Sequence, residues 1–188
     1  MRRQASGSSN VRGCRSVPNI LFEDPTYSYN YFQDRCNLKN GMTDDVRDVF
    51  LNKHNEYRSQ VARGLAKDRL GGTAPTAGKM ARMSYDCKLE ETMMKWLNKC
   101  IFRDSKSGNG ENIWLSTDTR LNNTHAATMS TKIWFSELET KGIGKENILT
   151  EQVFNRGVGH YTQVASTKNG EFVQVEGFSF SRISVTRL

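Results

Sequence analysis

No stretch of this 188-residue chain approaches the ~20 consecutive apolar residues that a bilayer-spanning helix needs. Hydrophobic residues make up 36% and mean hydropathy is -0.66, on the polar side of globular. The length is still one domain's worth and allows a sizeable core. No acidic residue precedes Glu23, so Arg2, Arg3, Arg12 and Arg15 carry over half of the net charge of +7. The rest is close to balanced, which argues against a basic stripe for nucleic acid. Met1 to Arg15 also lacks the apolar centre of a secretory signal, with Ala5-Ser6-Gly7-Ser8-Ser9-Asn10 standing in its place. No cysteine follows Cys100, and Cys14, Cys36, Cys87 and Cys100 all lack the context of a thiol nucleophile. Nothing like a nucleophile elbow surrounds Ser136, so no Ser-His-acid triad is legible.

Four cysteines permit two disulfides in three connectivities. Were Cys87 to Cys100 helical, their separation of roughly 20 Å would exceed the ~7 Å limit for pairing. A bond to Cys14 or Cys36 would staple the N-terminal stretch to the domain; reduced buried thiols are the alternative. Residues 1–38 read as leader or linker, with the aromatic run Tyr27-Ser28-Tyr29-Asn30-Tyr31-Phe32 able to pack in part on the domain. Residues 39–188 read as that domain. Thr43 caps a first helix with Asp44 and Asp45 in its first turn, and Val46, Val49, Phe50, Tyr57 and Val61 recur at helical spacing up to Gly64. Gly71-Gly72 and Pro75 mark a loop. Asp86 caps a second helix whose buried stripe is Leu89, Met93, Trp96, Leu97 and Cys100. A third helix from about Thr124 to Glu139 buries Ala127, Ile133, Trp134 and Leu138 before Gly142 and Gly144. Ile113-Trp114-Leu115 and Tyr161-Thr162-Gln163-Val164 read as strands, so helices and strands interleave in a mixed layered fold.

The most informative residues stand in four ordered stretches: His54-Asn55-Glu56-Tyr57-Arg58, Gly110-Glu111-Asn112-Ile113-Trp114, Trp134-Phe135-Ser136-Glu137 and Gly159-His160-Tyr161-Thr162-Gln163. Together with Gly71-Gly72, Met80-x-x-Met83-x-Tyr85-Asp86-Cys87 and the Phe154 to His160 run, they resemble the CAP superfamily of cysteine-rich secretory, antigen 5 and pathogenesis-related proteins. The likeness is to the activation-associated secreted and venom allergen-like proteins of parasitic nematodes. It implies an α+β fold, a three-layer α-β-α sandwich. The resemblance runs from about Asn40 to about Val164; residues 165–188 lack the family's terminal Gly-Cys and Val-Cys elements, so the C-terminal strands are expected to be truncated or divergent. Val173, Val175, Phe178, Phe180, Ile183 and Val185 still alternate as strands do. A divergent hairpin and an exon-junction artefact are the two readings of that break.

The resemblance also implies a site. Two histidines and two glutamates of the family line an open cavity that can hold a divalent metal, and here Glu111, Glu137 and His160 match three of them. The fourth position, four residues after Cys100, is Asp104. One imidazole and three carboxylates make a harder, more negative donor set, so zinc affinity is expected to be weakened in favour of magnesium or calcium. The alternative is that Glu111, Glu137 and His160 hydrogen-bond one another and hold the elements in register. His54 is read as a packing residue, and His125 as surface. Asn122-Asn123-Thr124 is a glycosylation sequon in a polar loop. The implied function is that of a secreted, extracellular, non-enzymatic protein with an immune-modulatory role. Its expected partner is a host protein or a small apolar ligand such as a lipid or sterol, with no nucleic acid and no membrane span. A metal- or histidine-dependent hydrolase, or an incomplete product without stable function, are the alternatives.

Overall fold

The computed structural model describes residues 35–99, 102–107, 109–118 and 120–166, and the backbone of 174–175. Its elements in chain order are α1 (Asp44–Ala62), α2 (Cys87–Leu97), α3 (Asn123–Thr140), β1 (Ile148–Leu149), α4 (Glu151–Phe154), α5 (Gly159–Ala165) and β2 (Gln174–Val175). β1 and β2 pair in parallel, Ile148 opposite Gln174 and Leu149 opposite Val175.

Local chemistry explains the long helices. The side chains of Thr43, Asp86 and Asn122 accept the free N–H groups at the starts of α1, α2 and α3, as small polar residues do at helix entries. Asp44 and Asp45 in the first turn of α1 and Glu90 in that of α2 sit where the helix dipole favours negative charge.

Helices α1, α3 and α5 pack on one another. Their shared core holds Val61, Leu138, Tyr161 and Ala165, closed from the chain beyond α3 by Ile143, Leu149, Val153 and Val158. Tyr57 stacks on Phe135 with ring centres 4.2 Å apart, and Phe135 meets Tyr161 at 5.8 Å. Arg58, only 4% exposed, ties three parts of the chain together. Its guanidinium donates to the carbonyls of Val164 (3.0 Å) and Ser166 (2.6 Å) at the end of α5, and twice to that of Ala81. One turn earlier, the Asn55 amide exchanges two hydrogen bonds with the Met83 backbone (3.1 and 2.8 Å). The segment before α2 is thereby fixed along α1.

A second polar node joins α1 to α2. Arg47 is fully buried and donates to both oxygens of Glu90 at 2.7 and 2.8 Å. Burial alone would raise the Glu90 pKa, but donation from Arg47, Asn40 and Tyr85 outweighs it and holds the carboxyl below its usual range. Next to this node the Cys36–Cys87 disulfide closes a separation of 51 residues. Of the pairings the sequence leaves open, this is the bond from Cys36 to the domain; Cys14 and Cys100 lie outside the described residues.

Four expectations need correction. Tyr161 to Val164 is not a strand but most of helix α5, and Tyr161, Thr162, Gln163, Val164 and Ala165 are all buried. A short segment buried on every side shows neither period, so periodicity cannot separate strand from helix there. Ile113-Trp114-Leu115 forms no strand, and among the described residues the backbone N–H groups of Trp114 and Leu115 have no hydrogen-bond partner. Ile133 is 46% exposed rather than buried, because α3 turns Trp134 and Leu138 inward. On α2 the buried residues are Glu90 and Met93, while Leu89, Trp96 and Leu97 are only half-buried. The alternating residues Val173 to Val185 lie outside the described residues, save the backbone of 174–175.

Candidate functional site

The four sequence stretches converge on the indole of Trp134, which is 1% exposed. His160 stacks against one side at 6.2 Å, with ring planes 17° apart. His54 lies at 6.3 Å, tilted by 51°. The indole N–H donates to the Ile113 carbonyl at 3.4 Å. Asn112, also 1% exposed, donates its amide to the His160 carbonyl at 3.0 Å. The Gly-Glu-Asn stretch is therefore clamped to the start of α5.

Glu137 is the hinge of the arrangement. One oxygen accepts from His160 Nδ1 at 2.7 Å and the other from the Tyr161 backbone N–H at 3.0 Å. Val158, at the entry of α5, provides no side-chain cap. A carboxylate from α3 thus fills the role that a capping side chain fills elsewhere, at the end where the dipole favours negative charge. Since the Glu137 oxygen accepts, His160 Nδ1 carries a hydrogen. Glu111 faces the other way: one oxygen accepts from both the N–H (2.9 Å) and the hydroxyl (2.7 Å) of Ser105, while Oε1 is buried without a partner. Asp104 is exposed.

Of the four expected ligands, the structure brings together Glu137 and His160 as a hydrogen-bonded pair. Among the described residues no group of three or more His, Cys, Asp or Glu side chains is placed to hold an ion. Glu137 has both oxygens engaged within the fold and Glu111 one, so the described residues do not bring the four expected donors to one point, and Glu111 Oε1 and His160 Nε2 are left without a partner among them.

The remaining groups are tied down as well. His54 is buried, its Nδ1 donates to the Phe50 carbonyl at 2.7 Å, and burial pushes its pKa down to about 4. It is a neutral packing histidine. The hydroxyls of Ser130, Thr131, Ser136 and Thr162 all donate to carbonyls of their own helices. None is turned toward His160 as a nucleophile would be. His125 is exposed.

One carboxylate that organises this end of the molecule was not among the expected residues. Asp68 is 8% exposed and accepts the backbone N–H groups of Leu70 (2.8 Å), Ile143 (3.1 Å) and Gly144 (2.9 Å). It locks the turn at Gly71-Gly72 to the loop after α3. The Asp shortly ahead of Gly-Gly was the available signal, since Asp side chains bond to their own backbone two residues ahead. Gly142, with φ of 81°, sits so close to Asp68 and Leu70 that a side chain there would collide with both.

Comparison with known proteins now decides the assignment, for the model of the cysteine-rich secretory protein family, CAP, matches residues 51–172. The chain belongs to the CAP family. Ancylostoma secreted protein from Ancylostoma caninum is 44% identical over 138 residues, covering 70% of this chain and 32% of that relative. The solved structure of Na-ASP-1 superposes with a TM-score of 0.67 at 44% identity, over 70% of this chain and 35% of that one. NaASP2, solved with Zn2+, gives 0.66 at 46% identity, over 68% and 70%. The chain therefore spans about a third of the length of the Ancylostoma protein, and its fold is the α+β fold of these CAP-domain proteins.

Proposed function

We propose that this CAP domain works outside the cell as a non-enzymatic binding protein whose partner is a host protein. The observation that carries the reading is the stretch from Leu65 to Ala74. Ala66 and Ala74 are buried, with the Ala74 N–H donating to the Ala66 carbonyl at 2.8 Å, and Lys67 bridges to Thr73. Asp68 fixes the turn from within. Alternation then leaves Leu65, Lys67 and Arg69 outward, and Leu65 and Leu70 are 57% and 53% exposed. Lys67 makes only a 4.0 Å contact with Glu139. A rigid hairpin presenting two leucines among cations is suited to a protein partner.

Two further observations support the choice. Two open clefts among the described residues measure about 240 and 220 Å³, and the first is lined by Leu65 and Lys67 of this stretch. The family pair Glu137 and His160, moreover, is used within the fold, and among the described residues Ser130, Thr131, Ser136 and Thr162 donate to carbonyls of their own helices rather than to His160.

The test is binding of the fluorescently labelled full chain to mammalian leukocytes. Saturable binding that unlabelled protein competes and that trypsin treatment of the cells removes is expected. Leu65→Asp with Leu70→Asp should reduce it about tenfold or more, as loss of buried anchors does at interfaces. Binding that survives cell trypsinisation, or is unchanged in the double variant, would contradict the reading.

A further inference from the structure

Asn122 is the only asparagine of the sequence in an Asn-x-Ser/Thr arrangement with x other than proline. The structure puts it where such a residue could be used. It is exposed and extended (φ -75°, ψ 162°) at the entry to α3, ahead of the first helical turn. Its side-chain oxygen accepts the Thr124 hydroxyl at 2.9 Å and the His125 backbone N–H at 2.8 Å. Its Nδ2 makes no hydrogen bond with any described residue.

The two ends of the amide are therefore divided between two tasks. The oxygen caps the helix and is oriented by Thr124. The nitrogen takes part in neither contact and is left for chemistry. We propose that Asn122 is an N-glycosylation site whose modification leaves the α3 cap intact. The donor is a lipid-pyrophosphate-linked oligosaccharide of the secretory pathway. Nδ2 attacks C1 of the reducing-end sugar, a C–N bond forms, the C1–O bond to the pyrophosphate breaks, and the Nδ2 proton passes to a base of the transferase. No redox change occurs.

Position 122 shares a helix stripe with Met129, seven residues on and two turns along, and with Ile133. Those two side chains are 37% and 46% exposed. The glycan thus emerges at the head of the most apolar exposed stripe of α3.

The inference rests on the extracellular reading, and the experiment separates the two. The full chain, fused to a cleavable secretory leader, is expressed in insect cells, and only leader-cleaved protein is scored. Peptide:N-glycosidase F should sharpen its gel mobility by one step and convert residue 122 to Asp in the tryptic peptide. Thr124→Ala, which removes the orienting hydroxyl but keeps the His125 N–H on the Asn122 oxygen, should lack the step and still show a cooperative melt. Asn122→Asp, which retains a capping oxygen, should do the same. Leader-cleaved wild type with unmodified Asn122 overturns the site, whatever becomes of partner binding. A mobility step that persists in Thr124→Ala overturns it too. A glycosylated chain that fails to bind leukocytes counts against the proposed function and leaves the site standing.

Discussion

At the scale of single residues, buried polar side chains hold this domain together, and their chemistry makes definite demands. His54 is 1% exposed and neutral in the fold, with a pKa pushed from 6.5 to about 4 by burial. The unfolded chain therefore binds more protons than the folded one between those values. Stability is full above pH 6.5 and falls as pH drops toward 4, by roughly 3 kcal/mol in all. Glu90, whose pKa lies below its ordinary 4.5, contributes stability lost only at lower pH still. Urea unfolding from pH 7 to 4.5 should show the His54 slope, and His54→Gln should flatten it; an equal slope in both proteins would rule out His54 as its source. Arg58 makes the second demand. Arg58→Ala leaves the carbonyls of Ala81, Val164 and Ser166 without their donor. The expected loss is roughly 3 kcal/mol, from one buried acceptor at about 1–3 kcal/mol and two partly buried ones that water can reach in part. Arg58→Lys should recover only part, since an ammonium cannot span carbonyls on two sides of α1. A urea midpoint unchanged in Arg58→Ala would contradict this.

At the scale of elements, the three long helices were legible because each carries apolar residues at helical spacing, and α1 and α2 a capping residue as well. Thr43 and Asp86 stand where caps stand, whereas Asn122, which caps α3, stands out in the sequence only as part of a sequon. The short elements were not legible. Tyr161 to Ala165 is buried throughout, and its helical state depends on Glu137 reaching across from α3, a contact 24 residues away in sequence. The same limit applies to Asp68 and to Arg47 with Glu90, whose partners are 75 and 43 residues distant. Ile113-Trp114-Leu115 carries a strand's composition, yet has no partner strand among the described residues. Hydrogen exchange tests that difference. The Trp114 and Leu115 amides should exchange far faster than those of α1 and α3, as unpaired backbone does. Exchange as slow as in α1 would mean that the segment is paired after all, as its sequence suggests.

At the scale of the whole molecule, family membership was readable because its motifs pack around one tryptophan. His54, Asn112, Glu137 and His160 come from α1, the Gly-Glu-Asn stretch, α3 and α5, and all meet near Trp134. The donor set was readable only as residue types. The sequence could show one histidine with three carboxylates, but not that Glu137 would direct both oxygens into the fold while Glu111 turned to Ser105. That geometry supports the central proposal: the histidine–glutamate pair is a structural clamp on α5, and we propose that the protein acts by binding. The most direct test compares purified wild type with His160→Ala for hydrolysis of fluorescent casein and of a small ester, side by side. The same background rate is expected in both proteins, with the substitution lowering the melting temperature instead. Hydrolysis above background in the wild type that His160→Ala abolishes would contradict the claim.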